Sequence, residues 1–184
     1  QTVIHPETGM MHPLAVGQSA QDIAKQCGLK VSPNTRLIIA PHEPDESHLA
    51  SIEEWIAREG WRGARLGTAA APDADVVVVD RVGVLGDLYA LADVAYVGGG
   101  FHAAGLHSVL EPAAFGAPVL FGPHFSGSRD AGLLIAAGAG QATENARALG
   151  EALLTWLRDD DARTRAGARA RNRRHIDDRA LRGL

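Results

Sequence analysis

The residues of this sequence best spaced for chemistry are three glycines at the end of an apolar run, followed by a histidine, a serine and a glutamate. Residues 94–123 read VAYVGGGFHAAGLHSVLEPAAFGAPVLFGP. Gly98, Gly99 and Gly100 come straight out of a short apolar run, and glycine there lets the backbone take positive φ and approach a ligand closely. A helix is expected over 108–115. Its start presents unpaired N–H groups and a partial positive charge, a setting that favours phosphate. Ser108 is placed to cap that helix, with His107 just before it and Val109 and Leu110 just after. Glu111 falls in the first turn, where its carboxylate can accept two hydrogen bonds from sugar or ribose hydroxyls. The plainer readings stand beside these. Strand-to-helix turns often use glycine, and a first-turn glutamate can simply complement the helix dipole.

Two further stretches have the same form, a buried run followed by a loop with functional side chains. Residues 40–44 (APHEP) fix a loop with two prolines, Pro41 and Pro44, around His42. His42 can contact a phosphate or a base, or be an ordinary loop histidine. Residues 81–85 (RVGVL) follow another apolar run, and the backbone of Val82, Gly83 and Val84 suits the gripping of a nucleobase. Histidines also occur as the pairs His42/His48 and His102/His107, near acids, but neither has the i, i+4 spacing of a helical zinc site and HExxH is absent, so no metal is expected. GxGxxG, GxxxxGK[ST] and GxSxG are absent as well, which removes support for classical NAD, P-loop and serine-hydrolase readings. Ser126, Gly127 and Ser128 read as a loop.

These loops need strands to carry them and helices to back those strands. Buried strands are expected at 36–40, 75–80, 94–97 and 118–121, each a short apolar run. Helices are expected at 47–58, with Leu49, Ile52, Trp55 and Ile56 on one face, at 85–91, at 108–115, at Arg129–Ala137 and at Ala146–Arg158, with a basic helical tail from 162. Strands alternating with helices are the signature of βαβ units, so the fold class is α/β, a Rossmann-like parallel sheet with helices on both faces. Right-handed crossovers bring the strand C-termini to one edge, where open α/β sheets bind ligands. Residues 1–35 read differently: an irregular or short extended segment over 1–13, a helix over 19–27 and a turn at 32–34. The division expected is an atypical N-terminal segment (1–35), a nucleotide-binding domain (36–160) and a basic C-terminal helix (161–184).

Composition sets the outer limits. The chain has 184 residues with 46% hydrophobic and 22% charged, ordinary for one globular domain. Its net charge of −4 gives no global attraction to nucleic acid. A single cysteine, Cys27, allows no disulfide within the chain. No apolar run approaches the ~20 residues of a spanning helix. The arginines from Arg163 to Arg182 read either as a solvated helix face or as an attraction to anionic lipid or a partner domain.

Residues 87–100 (DLYALADVAYVGGG) and 105–124 (GLHSVLEPAAFGAPVLFGPH) together closely resemble the 3-deoxy-D-manno-octulosonic acid (Kdo) transferases. The order strand, glycines, H[NS]xLE, PAAFGxPVxFGP is quite specific to that family, and residues 36–44 (RLIIAPHEP) and 80–89 fit it too. The resemblance covers about residues 36–160. It implies one half of a two-domain GT-B fold, the half that binds the donor CMP-Kdo, with no cofactor beyond that donor. Implied donor contacts are Pro41 and His42, the loop Val82, Gly83, Val84, the glycines Gly99 and Gly100, and Ser108 to Glu111, with His107 and Arg129 as weaker candidates. The family usually has arginine at the position of His42. The resemblance further implies that an acceptor-binding domain and its catalytic carboxylate lie outside this stretch, that this half alone is inactive, and that the setting is the bacterial cytoplasm with room for peripheral contact at the inner membrane or for a homo-oligomer. Two other readings stay open, a UDP-sugar-using GT-B transferase or epimerase and a truncated or chimeric α/β domain without activity. Residues 16–40 (VGQSAQDIAKQCGLKVSPNTRLIIA) faintly resemble a helix–strand piece of CoA-acylating aldehyde dehydrogenases, and no activity is carried over from it.

Overall fold

The computed structural model describes residues 2–5, 36–101 and 105–172. Among these residues seven parallel strands form one sheet: β1 (Thr2–His5), β2 (Leu37–Ile39), β3 (Gly63–Arg65), β4 (Val76–Val78), β5 (Ala95–Val97), β6 (Val119–Phe121) and β7 (Gly140–Ala142), in the spatial order β3-β4-β2-β1-β5-β6-β7. The helices are α1 (Glu46–Arg58), α2 (Leu85–Leu88), α3 (Leu110–Ala114), α4 (Arg129–Ala137), α5 (Ala146–Arg158) and α6 (Asp160–Arg171).

Side chains alternate across a strand, so each strand feeds two cores. On one face Ile38, Val77 and Ala95 pack with Leu88 and Tyr89. The same face continues as Val97, Val119 and Phe121 against Val109, Ala131, Leu134 and Ala170. On the other face Ile39, Val76 and Val78 meet Leu49, Ile52, Trp55 and Ile56 of α1, while Tyr96 and Leu120 meet Ala152 of α5 with Leu149 and Trp156 beside it. Strands covered on both sides read as unbroken apolar runs, which is why the expected strands at 75–80, 94–97 and 118–121 are present. The α/β class with helices on both faces is therefore the observed one.

Three local features differ from expectation. Residues 1–13 were expected as an irregular or short extended segment outside the nucleotide-binding domain, yet β1 lies in mid-sheet, paired with β2 through Val3 and Ile38 and with β5 through Val3 and Ala95. The helix expected at 108–115 begins only at Leu110 after Val109, with no side-chain cap, so Ser108 does not cap it. The edge strands β3 (GAR) and β7 (GQA) carry too few apolar residues to announce themselves and are recognised by their pairing with β4 and β6. The helix expected at 19–27, Cys27 and His102 lie outside the described residues.

Helix ends follow ordinary rules. Asp45, Ser128, Asn145 and Asp159 cap α1, α4, α5 and α6 with a side-chain oxygen on a free backbone N–H, and Gly138 ends α4 at φ +67°. The tail arginines are partly spent inside the fold. Arg163 donates to the Trp156 carbonyl and to Asp160 and lies 3.8 Å from Asp93, and Arg171 donates to the Phe115 carbonyl at 2.6 Å. Within α6 these two arginines act as ties between elements.

Candidate functional site

The parallel register aligns the strand ends. Ile39 lies opposite Val78 and Val97 opposite Phe121, so the loops after β2, β4, β5 and β6 leave from one edge. That edge carries the three stretches singled out in the sequence, and it is the ligand edge of an open α/β sheet.

At its centre two imidazoles meet. The rings of His42, from the loop after β2, and His107, from the loop after β5, are stacked at a centroid distance of 4.8 Å and an interplanar angle of 26°. Pro41 beneath is buried, His42 exposed and His107 half-buried. The His107 backbone N–H donates to the carbonyl of buried Gly98 at 3.3 Å, which ties the stack to the end of β5. His42 and His107 are thus brought together across 65 positions of sequence.

The glycines divide into two roles. Gly99 has φ +86°, a conformation that favours glycine. Gly100 answers to a neighbouring loop: a Cβ on it would lie 2.6 Å from the backbone nitrogen of Gly122, and its carbonyl accepts the His124 N–H at 2.8 Å. The constraint on Gly100 is therefore contact between two loops.

Ser108 and Glu111 are exposed on the same edge, Leu110 is half-buried, and Val109 is 1% exposed in the core. Ser108 and Glu111 can offer side-chain atoms to a ligand, Val109 only its backbone. Behind Glu111 sits Tyr89, which sequence reasoning did not single out. Burial pushes the Tyr89 phenol well above its ordinary value, and the Glu111 carboxylate adds to the shift.

The loop after β4 projects outward. Val82 is 78% exposed, Gly83 has φ +85°, and Arg81 holds the loop by donating to Asp80 at 2.9 Å and to the Leu66 carbonyl at 2.6 Å. Arg129 begins α4, exposed, at the end of the loop after β6.

Among the described residues Glu43, Asp45 and His48 place one potential ligand atom each within 4.8 Å of one another. Their geometry is accounted for by the start of α1. Asp45 accepts from Ser47 Oγ at 2.6 Å and from the His48 N–H at 3.0 Å, and its other oxygen meets His48 Nδ1 at 2.6 Å.

The fold corresponds to that of known proteins. No family model matches the chain. Among solved structures, the C-terminal CMP-Kdo binding domain of WaaA from Acinetobacter baumannii superposes with a TM-score of 0.73 at 21% identity, covering 92% of this chain and 87% of that one. Anabaena HepE in complex with UDP gives 0.61 at 14% identity over 100% of this chain and 48% of that one. The class is thus one Rossmann-like half of the GT-B glycosyltransferase fold. Within that class the sequence relatives are 3-deoxy-D-manno-octulosonic acid transferases, and the chain is homologous to a segment of them. It is 32% identical to that of Bordetella pertussis over 126 residues, 67% of this chain and 29% of the relative. It is 36% identical to that of Chlamydia muridarum over 121 residues, 63% and 26%. The chain thus spans less than a third of the length of these curated relatives. No helix among the described residues is long and apolar enough to cross a membrane.

Proposed function

We propose that this chain is the donor-binding half of a Kdo transferase that hands Kdo from CMP-Kdo to a lipid A precursor in lipopolysaccharide biosynthesis. The observation that carries the reading is the alignment of His42, His107 and Glu111 along one strand-end edge, in a segment homologous to enzymes of that name. In this reading His42, set on Pro41, meets the donor phosphate. The backbone of Val82, Gly83 and Val84 grips the base. Gly99 and the stretch Ser108, Val109, Leu110 and Glu111 hold the sugar or ribose hydroxyls and the phosphate approach, and Gly100 supports them through its loop contact. Arg129 adds positive charge from the loop after β6.

In the transfer, the bond between the Kdo anomeric carbon and the CMP phosphate oxygen breaks as an acceptor hydroxyl attacks that carbon. This half contributes positioning and charge stabilisation at the departing phosphate. In this reading the base that takes the acceptor proton and the acceptor site lie outside this donor-binding half, which does not turn over alone. No cofactor or metal enters the reading, and nucleic acid is no partner. The working location is the bacterial cytoplasm, peripheral on the anionic inner membrane, with a homo-oligomer as the alternative use of exposed surface.

Calorimetry with CMP and with UDP on this chain tests the proposal. CMP binding that exceeds UDP binding and falls at least about tenfold in Glu111→Ala, as expected for lost hydrogen bonds to hydroxyls, supports it. Preference for UDP turns the reading towards another donor. A folded chain that binds neither nucleotide at millimolar concentration overturns it.

A further inference from the structure

We infer that His107 is a positioning residue whose ring face holds His42 in place at the donor edge; this rests on the donor-half reading. His42 is exposed on a loop, and an exposed imidazole left to itself samples several rotamers, all but one of which would have to be given up when a phosphate arrives. The structure provides a platform for it. His107 is half-buried, and its N–H is tied to the carbonyl of Gly98 at the end of β5. Its ring lies against that of His42 at 4.8 Å and 26°. A parallel stack occupies the faces of the two rings and leaves the edge of the outer one, with its nitrogens, directed to solvent and available to donate to a phosphate oxygen. The order of support runs from the sheet to Gly98, from Gly98 to His107, and from His107 to His42. His107 then affects donor binding through His42, by a face contact that any flat ring can supply.

The test uses the whole chain, CMP as the probe, and the variants His107→Ala, His107→Phe, His42→Ala and the double alanine variant, each checked for folding by circular dichroism. An aromatic stack is worth about three- to tenfold in an equilibrium, so His107→Ala should weaken CMP by that factor. His107→Phe should restore most of it, and His107→Ala should add nothing on top of His42→Ala. In the ligand-free protein the His42 ring-proton signals should shift in His107→Ala and stay near their original positions in His107→Phe. A His107→Phe variant as weak as His107→Ala, full additivity in the double variant, or His42 signals unmoved by His107→Ala overturns the inference alone. A wild-type chain that binds no CMP overturns the donor reading, and with it the role given to the stack, while the ring-proton signals still report whether the stack exists.

Discussion

Gly122 and Gly100 lie backbone against backbone. A Cβ built on Gly122 would sit 2.3 Å from the carbonyl carbon of Gly100 and 2.4 Å from its oxygen. Neither partner is a flexible side chain, so the clash is relieved only by moving the loop after β5 or the loop after β6. Gly122→Ala should therefore destabilise the chain by at least the upper end of the about 1–3 kcal/mol typical of overpacking, read as a lower urea midpoint. The same loops carry His107 and Arg129, so CMP binding should fall with it. An unchanged midpoint would show that the loops part freely.

The last helix is held by a similar contact. A Cβ on Gly167 would come 2.1 Å from the Gly116 carbonyl oxygen, beside the hydrogen bond from Arg171 to Phe115. Gly167→Ala should lift α6 from α3, at a cost of about 2 kcal/mol or more and a fall in Tm of roughly 4–8 °C for a chain of this size. Faster hydrogen exchange confined to α6 and the stretch around Gly116 is the specific signature. Uniform protection would argue against the contact.

Asp45 gives a pH dependence with a definite sign. Hydrogen bonds from the Ser47 hydroxyl and the His48 backbone N–H hold its carboxyl at about 2, against an unfolded value near 3.8. The unfolded state therefore binds the proton first as pH falls. The stabilisation is complete above about pH 4 and fades on acidification until about pH 2. Asp45→Ala should lower Tm at pH 7 by loss of the cap. Asp45→Asn keeps a capping oxygen without the charge, so its Tm deficit should be constant from pH 7 to about 4.5 and shrink below. A deficit independent of pH down to 2 would show that the carboxylate charge contributes nothing to the cap.

What the sequence made legible follows from burial. Residues 76–79 and 118–121 are apolar because both faces of their strands are covered, and such runs are visible without knowledge of neighbours. α4 and α5 lie where their periodicity and capping residues put them. The edge strands β3 and β7 were not visible, since Gly63, Gly140 and Gln141 say nothing of strand pairing by themselves. The cap assigned to Ser108 failed because α3 starts two residues later, after Val109 turns into the core. The site was legible as separate loops but not as a constellation. That His42 reaches His107 is a consequence of strand order, in which β1 alone separates β2 from β5, and no local spacing encodes it. Tyr89 was overlooked because nothing in the sequence links it to Glu111.

The two outermost strands have a consequence for how copies of this chain meet. β3 and β7 are three residues long and carry glycine, arginine, glutamine and alanine. Arg65 on β3 is engaged by Glu46 and Glu53 of α1, at 2.9 Å and 2.6 Å. Short borders that offer few backbone groups and a fixed charge are poor templates for a neighbouring chain to extend. Among the described residues, the borders of the sheet thus disfavour edge-to-edge extension by a second copy.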